Sequence, residues 1–129
     1  MHHQLPRVQS AKNLLVYGKA LELAKLVYAT TAGFPPHEKF GLTSQMRRAA
    51  VSIGSNIAEG CGRRGDKELA GYLYIAMGSA SELEFQLELA IALAYMGADE
   101  AAPLQAAIEG VKRMLARLIL SLREKRRPP

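Results

Sequence analysis

The stretch LAGYLYIAMGSASELEFQLELAIALAYM, Leu69 to Met96, carries two apolar seams on a single helical period. Leu69, Leu73, Ala76, Ala80, Leu83, Leu87, Ala90 and Ala94 alternate spacings of four and three, an unbroken heptad rhythm. At about 100° per residue a second seam stands about a third of a turn round the helix from the first. It comprises Ile75, Ser79, Glu82, Gln86, Leu89 and Leu93, flanked by Phe85 and Met96, and the only charges in the stretch are Glu82, Glu84 and Glu88. A helix with apolar side chains on more than one side is buried on more than one side. One bundle has one core, so the second seam predicts a contact with another subunit; the alternative is cover by the first helix or a loop of the same chain. Glu82 would then be buried and would need a cation, for which Arg48 or Arg47 is available.

Three further helices account for most of the remaining chain. The spacing predicts a first helix over residues 10–31, with Leu14, Tyr17, Leu21, Ala24 and Tyr28 on one face, ending before Gly33 and Pro35-Pro36. A second is expected over 43–60, with Thr43 as N-cap and Gly60, Gly62 and Gly65 supplying a left-handed turn at its end. The third, over 66–96, takes Asp66 as N-cap. A fourth over 101–124 carries Leu104, Ile108, Val111, Leu115, Leu118 and Leu122, with Pro103 in its first turn. No strand-like alternation competes, and the loops after the second and third helices are too short for a crossover. The fold class read from this is all-α: one domain, residues 1–129, an antiparallel up-down-up-down four-helix bundle.

Within the second helix, RRAAVSIGSNIAEG (Arg47 to Gly60) sets polar groups beside a core stripe. Leu42, Met46, Ala50, Ile53 and Ile57 gather on one face, while Arg48, Ser52, Ser55, Asn56 and Glu59 fall on the next. Small residues there, Ala49, Ala50, Ser52, Gly54, Ser55 and Ala58, let helices approach closely. Arg48, Asn56 and Glu59 are expected to satisfy one another, or Glu82 and Ser79, across that contact. Arg47 lies on a different face and fits either an interface or the surface.

Charge is unevenly placed. From Lys112 to Arg127 seven cations, Lys112, Arg113, Arg117, Arg123, Lys125, Arg126 and Arg127, face one acid, Glu124, so this segment holds +6 of a total of +5 and the rest is near −1. A basic helix running into a basic tail (123–129) is a footprint for phosphate backbones. The same residues also complement a helix C-terminus and aid solubility. In the GCGRRG turn, Arg63, Arg64 and Lys67 are secondary phosphate candidates, although the run follows a helix and lacks a P-loop ending.

Enzymatic chemistry finds no support. The histidines are His2, His3 and His37, none on a helix, which leaves no triad and no Glu-x-x-His metal repeat; no catalytic, metal or cofactor residue is assigned. The single Cys61 has no visible base and excludes an internal disulfide. The five tyrosines lie on helices beside apolar stripes, so base stacking on surface aromatics is not expected. With no membrane-length apolar run and no signal-type apolar region in Met1 to Arg7, a cytoplasmic protein is expected.

The spans FPPHEKFGLTSQMRRAAVSIGSNIAEG (Phe34 to Gly60) and YLYIAMGSASELEFQLELA (Tyr72 to Ala90) resemble the bacterial four-helix bundle family of 23S rRNA intervening sequence proteins. The chain departs from it at Gly54, where the family usually has proline, which lessens the expectation of a kink after Ile53. The resemblance implies a ring-like homopentamer. A related branch, the accessory variability determinant proteins of diversity-generating retroelements, binds nucleic acid and a reverse transcriptase. It implies that this chain binds RNA or DNA, or alternatively that it recruits a protein partner without reading nucleic acid.

Overall fold

Helix α2, Leu42–Cys61, is built on the stripe read from its sequence: Leu42, Met46, Ala50, Ile53 and Ile57 are all buried. The computed structural model describes residues 10–125, in which α2 is accompanied by α1 (Ser10–Thr31), a 3₁₀ turn (Pro36–Glu38), α3 (Asp66–Ala92) and α4 (Ala98–Lys125), with no strand. Helix α2 packs against α1 and α3, and α4 packs against α3 and α1, while the diagonal pairs do not meet. Ser52 meets Ser79 while Gly60 meets Leu69 and Tyr72, and Glu84 meets Lys112 while Asp66 meets Lys125, so α2–α3 and α3–α4 each run antiparallel. The result is an all-helical four-helix bundle around one core. Helix α2 runs unbroken through Gly54.

On α3 and α4 the expected stripes point inward, from Leu69 to Ala90 and from Leu104 to Leu122. Helix α1 differs. Its core face is Val16, Ala20, Leu23 and Val27, while Tyr17, Leu21 and Tyr28 of the expected stripe are exposed; the side chain of Leu14 lies outside the described residues. Both stripes have helical spacing. Burying the tyrosines would have required partners for two hydroxyls, whereas the aliphatic stripe asks for none.

The helix ends also depart from expectation. Thr43 is not a cap but a buried residue inside α2; the helix starts after Gly41, and the Leu42 N–H is taken by Glu38 Oε1 at 2.9 Å. Asp66 is the first residue of α3, after Gly65. Helix α3 stops at Ala92, because Ala94 turns left-handed (φ 63°) and Tyr95 N–H bonds back to the Ala90 carbonyl at 2.9 Å. Helix α4 begins at Ala98, where Glu100 accepts the Gly97 N–H at 3.2 Å, so Pro103 lies in the second turn.

No glycine among the described residues has positive φ, so the glycines after α2 do not supply a left-handed turn. Gly60 is required for a different reason. A Cβ there would lie 2.8 Å from Tyr72 Cβ and 3.0 Å from Leu69 Cδ1, where α2 and α3 come closest to the turn. At Gly78 the same atom would meet nothing within 4 Å. Gly60→Ala should therefore cost about 1–3 kcal/mol in urea unfolding, while Gly78→Ala should raise stability by about 0.5–1 kcal/mol through helix propensity. Equal effects at both positions would contradict the close α2–α3 approach.

Candidate functional site

Antiparallel packing brings two basic segments, distant in sequence, to one pole of the bundle. The α2–α3 turn carries Arg63 and Arg64, and Lys67 follows in the first turn of α3. The last turn of α4 reaches the same place, with Lys125 Nζ 3.5 Å from Asp66 Oδ2. Arg63 folds back onto the bundle: its Nη2 donates to Glu59 Oε2 at 3.0 Å and to the Tyr72 hydroxyl at 2.9 Å, and the guanidinium stacks on the Tyr72 ring. Arg63 is thus a strut between α2 and α3 rather than a free cation. Arg64, Lys67 and Arg123 are exposed and make no ion pair among the described residues. Glu68 and Glu124 share this end of the bundle, and Arg126 and Arg127 lie outside the described residues.

The other α4 cations are directed elsewhere. Lys112 Nζ lies 3.0 Å from Glu84 Oε1 and is partly buried against α3, unlike the unpaired cations of the pole. Arg113 and Arg117 line a groove between α4 and α1, facing Lys19 and Lys25. Those two lysines were not expected at a site, since nothing in the α1 sequence alone indicates that they share a wall with arginines some ninety residues later.

The polar residues of α2 divide into four separate contacts. Ser52 and Ser79 hydroxyls are 2.8 Å apart across the α2–α3 contact, and Asn56 Nδ2 donates to the Ser52 carbonyl at 2.8 Å. Glu59 is taken by Arg63, so Asn56 and Glu59 do not satisfy Arg48 or Glu82. Arg48 Nη2 approaches Glu82 Oε2 only to 4.0 Å and donates to Gln45 Oε1 at 2.8 Å. Within the protomer Glu82 is exposed rather than buried, and the pair is a weak surface contact. Arg47 has the definite role: its Nε donates to Thr31 Oγ1 at 2.9 Å, and its guanidinium lies 4.6 Å from the Tyr28 ring centre, tying α2 to the end of α1.

No group of three His, Cys, Asp or Glu among the described residues stands close enough to hold a metal ion. Burial pushes the Cys61 thiol up, away from thiolate chemistry. No helix of the described residues is long and apolar enough to cross a membrane.

At the opposite pole, Glu38 joins the 3₁₀ turn to the α3–α4 turn. Tyr95 donates to Glu38 Oε2 at 2.6 Å, with His37 Nε2 3.3 Å from the same hydroxyl. The Leu42 N–H, then the Tyr95 hydroxyl, hold the Glu38 carboxyl below its ordinary value of 4.5; burial opposes them more weakly, and the nearby His37 adds a smaller lowering effect. A depressed carboxylate stabilises the fold above its unfolded-state value, and that contribution is lost as pH falls through the folded value. Glu38→Gln should accordingly flatten the fall in melting temperature between about pH 5 and pH 3. An acid limb as steep as that of the parent protein would remove Glu38 from this role.

Sequence and structure comparisons agree with this architecture. A family model described as 23S rRNA-intervening sequence protein matches residues 12–117. No curated protein matches the chain. Among solved structures, a protein of unknown function from the S23 ribosomal protein family of Bacteroides thetaiotaomicron is similar, at 27% identity and a TM-score of 0.76 over 84% of this chain and 97% of that one. With most of its length matched and the bundle shared, the chain belongs to the 23S rRNA-intervening sequence protein family.

Proposed function

We propose that the protein is a non-enzymatic, homo-oligomeric cytoplasmic scaffold that binds RNA or DNA through phosphate contacts at its basic pole. The observation that carries this reading is the Lys125–Asp66 ion pair, which sets the end of α4 beside the α2–α3 turn. Arg64, Lys67 and Arg123 then share one end of each protomer, from which the chain continues into Arg126 and Arg127. Exposed cations that stack on no aromatic ring among the described residues suit electrostatic binding of low sequence preference. Family membership adds an RNA-related context, and the resemblance to retroelement accessory proteins supports the same class of ligand.

Assembly is supported by two exposed apolar surfaces of different shape. The outer seam of α3 leaves Ile75 (53%), Phe85 (64%), Leu89 and Leu93 in solvent. Between α1 and α2, Tyr17, Leu21 and Val51 flank a shallow groove floored by Ala50, Gly54 and Ala58. A ridge on one face and a groove on another form a head-to-tail contact, which closes into a ring when the rotation permits. A ring of five, as the family resemblance implies, would repeat the basic pole around its axis and strengthen binding by avidity.

Fluorescence anisotropy with a labelled single-stranded RNA tests the pole. Binding should weaken steeply with salt, and replacing Arg64, Lys67 and Arg123 together by glutamine should reduce the magnitude of the log–log salt slope by about 2 and weaken affinity at least about tenfold. Arg113→Gln with Arg117→Gln should leave it largely intact. Unchanged binding in the pole variant, or no binding at low salt, would refute the assignment.

A further inference from the structure

The junction of α1 and α4 is left unfilled. Ala29, Ala106, Ala107 and Gly110 line it with small residues, leaving an open groove of about 770 Å³. A Cβ on Gly110 would meet nothing within 4 Å, which marks the middle of α4's wall as open. Half-buried Leu26 and Met114 give the groove apolar, adaptable side chains, and no aromatic residue lines it.

Its rim is strongly one-signed. Lys19 and Lys25 stand on α1 and Arg113 and Arg117 on α4, with Glu22 the only acid. Lys25 is 3.7 Å from Glu22, an exposed pair worth little, and Lys19, Arg113 and Arg117 make no ion pair among the described residues. Cations on both walls over an aliphatic floor are the complement of an amphipathic helix whose apolar stripe is bordered by acids. The walls run from Lys19 to Ala29 and from Ala106 to Arg117, a length of about 15 Å, or three turns of a docked helix. Nucleic acid would use the rim alone, because the floor offers no aromatic platform for bases.

We infer that the α1–α4 groove is a docking site for an acidic amphipathic helix of a partner protein, separate from the basic pole. The apolar stripe of that helix lies along Leu26, Ala107, Gly110 and Met114, and its flanking carboxylates pair with Arg113 and Arg117 on one wall and Lys19 and Lys25 on the other. Small residues on the floor allow the close approach that a third helix needs.

The test uses a labelled helical peptide of roughly sixteen residues with leucines at i, i+4, i+7 and i+11 and glutamates on either side, beside a counterpart with lysines in place of the glutamates. The acidic peptide should bind the full chain at least about tenfold more tightly than the basic one. Gly110→Leu, which fills the groove while improving helix propensity, and Arg113→Glu with Arg117→Glu should each weaken it by about tenfold, with helicity by circular dichroism unchanged. Four results would overturn the inference: no binding of the acidic peptide at about 200 μM, equal binding of the two peptides, indifference to Gly110→Leu, or loss of self-association in the Arg113/Arg117 variant, which would give the groove to a second copy. Single-stranded RNA that is displaced by Gly110→Leu while the peptide is not would likewise assign the groove to nucleic acid.

Discussion

The close contact between α2 and α3 is the constraint on which the rest of the molecule depends. Ala49 and Gly60 of α2 and Ala76 and Ala80 of α3 are buried, and with so little side chain between them the two backbones come close. The Ser52–Ser79 hydrogen bond then satisfies two hydroxyls at the edge of that contact without interrupting it. Close packing also sets where other groups stand. It places Arg63 within reach of Tyr72 at one pole, which ties the α2–α3 turn to α3, and at the other pole Tyr95 of the α3–α4 turn bonds to Glu38 of the 3₁₀ turn.

How much of this was legible depended on how many faces of a helix were apolar. Helix α2 has one core stripe beside a polar face, and α4 has one stripe opposite its charges, so spacing identified their inward residues. Spacing found the core seam of α3; of its second seam Ile75, Glu82, Phe85, Leu89 and Leu93 are exposed, whereas Gln86 and Met96 are buried within the protomer and Ser79 meets α2. Helix α1 also has two seams, and periodicity alone could not choose between Val16, Leu23 and Val27 and the tyrosine face. Helix ends were less readable because their caps come from tertiary partners: Glu38 serves α2 from an adjacent turn, and Ala94 accepts a left-handed conformation usually given to glycine. Candidate cations were recognised as a group, yet their division could not be read. Whether Lys112 meets Glu84 or Arg63 meets Tyr72 depends on contacts 28 and 9 residues away in sequence.

That division reshapes the functional reading. A single basic C-terminal helix becomes three settings: a salt-bridged lysine against α3, two arginines over an apolar groove, and an end of the bundle where Arg123 joins Arg64 and Lys67. Positive charge on a rigid pole suits polyanions, whereas positive charge bordering an aliphatic floor suits a folded partner. The outer seam of α3 belongs to neither. Its phenylalanine and leucines form an exposed apolar surface whose burial would contribute about 25 cal/mol per Å², and Glu82 on the same seam stands near Arg48 without being closed around it.

Burial of that seam between copies of the chain is therefore the central claim, and the mass of the native protein in solution tests it most directly. Light scattering at about 10 μM should give an assembly, five times the 14.1 kDa protomer or about 70 kDa if the ring is pentameric. Phe85→Glu with Leu89→Glu should reduce it to protomers that keep their helicity. A parent protein that remains at 14.1 kDa at this concentration would contradict the account.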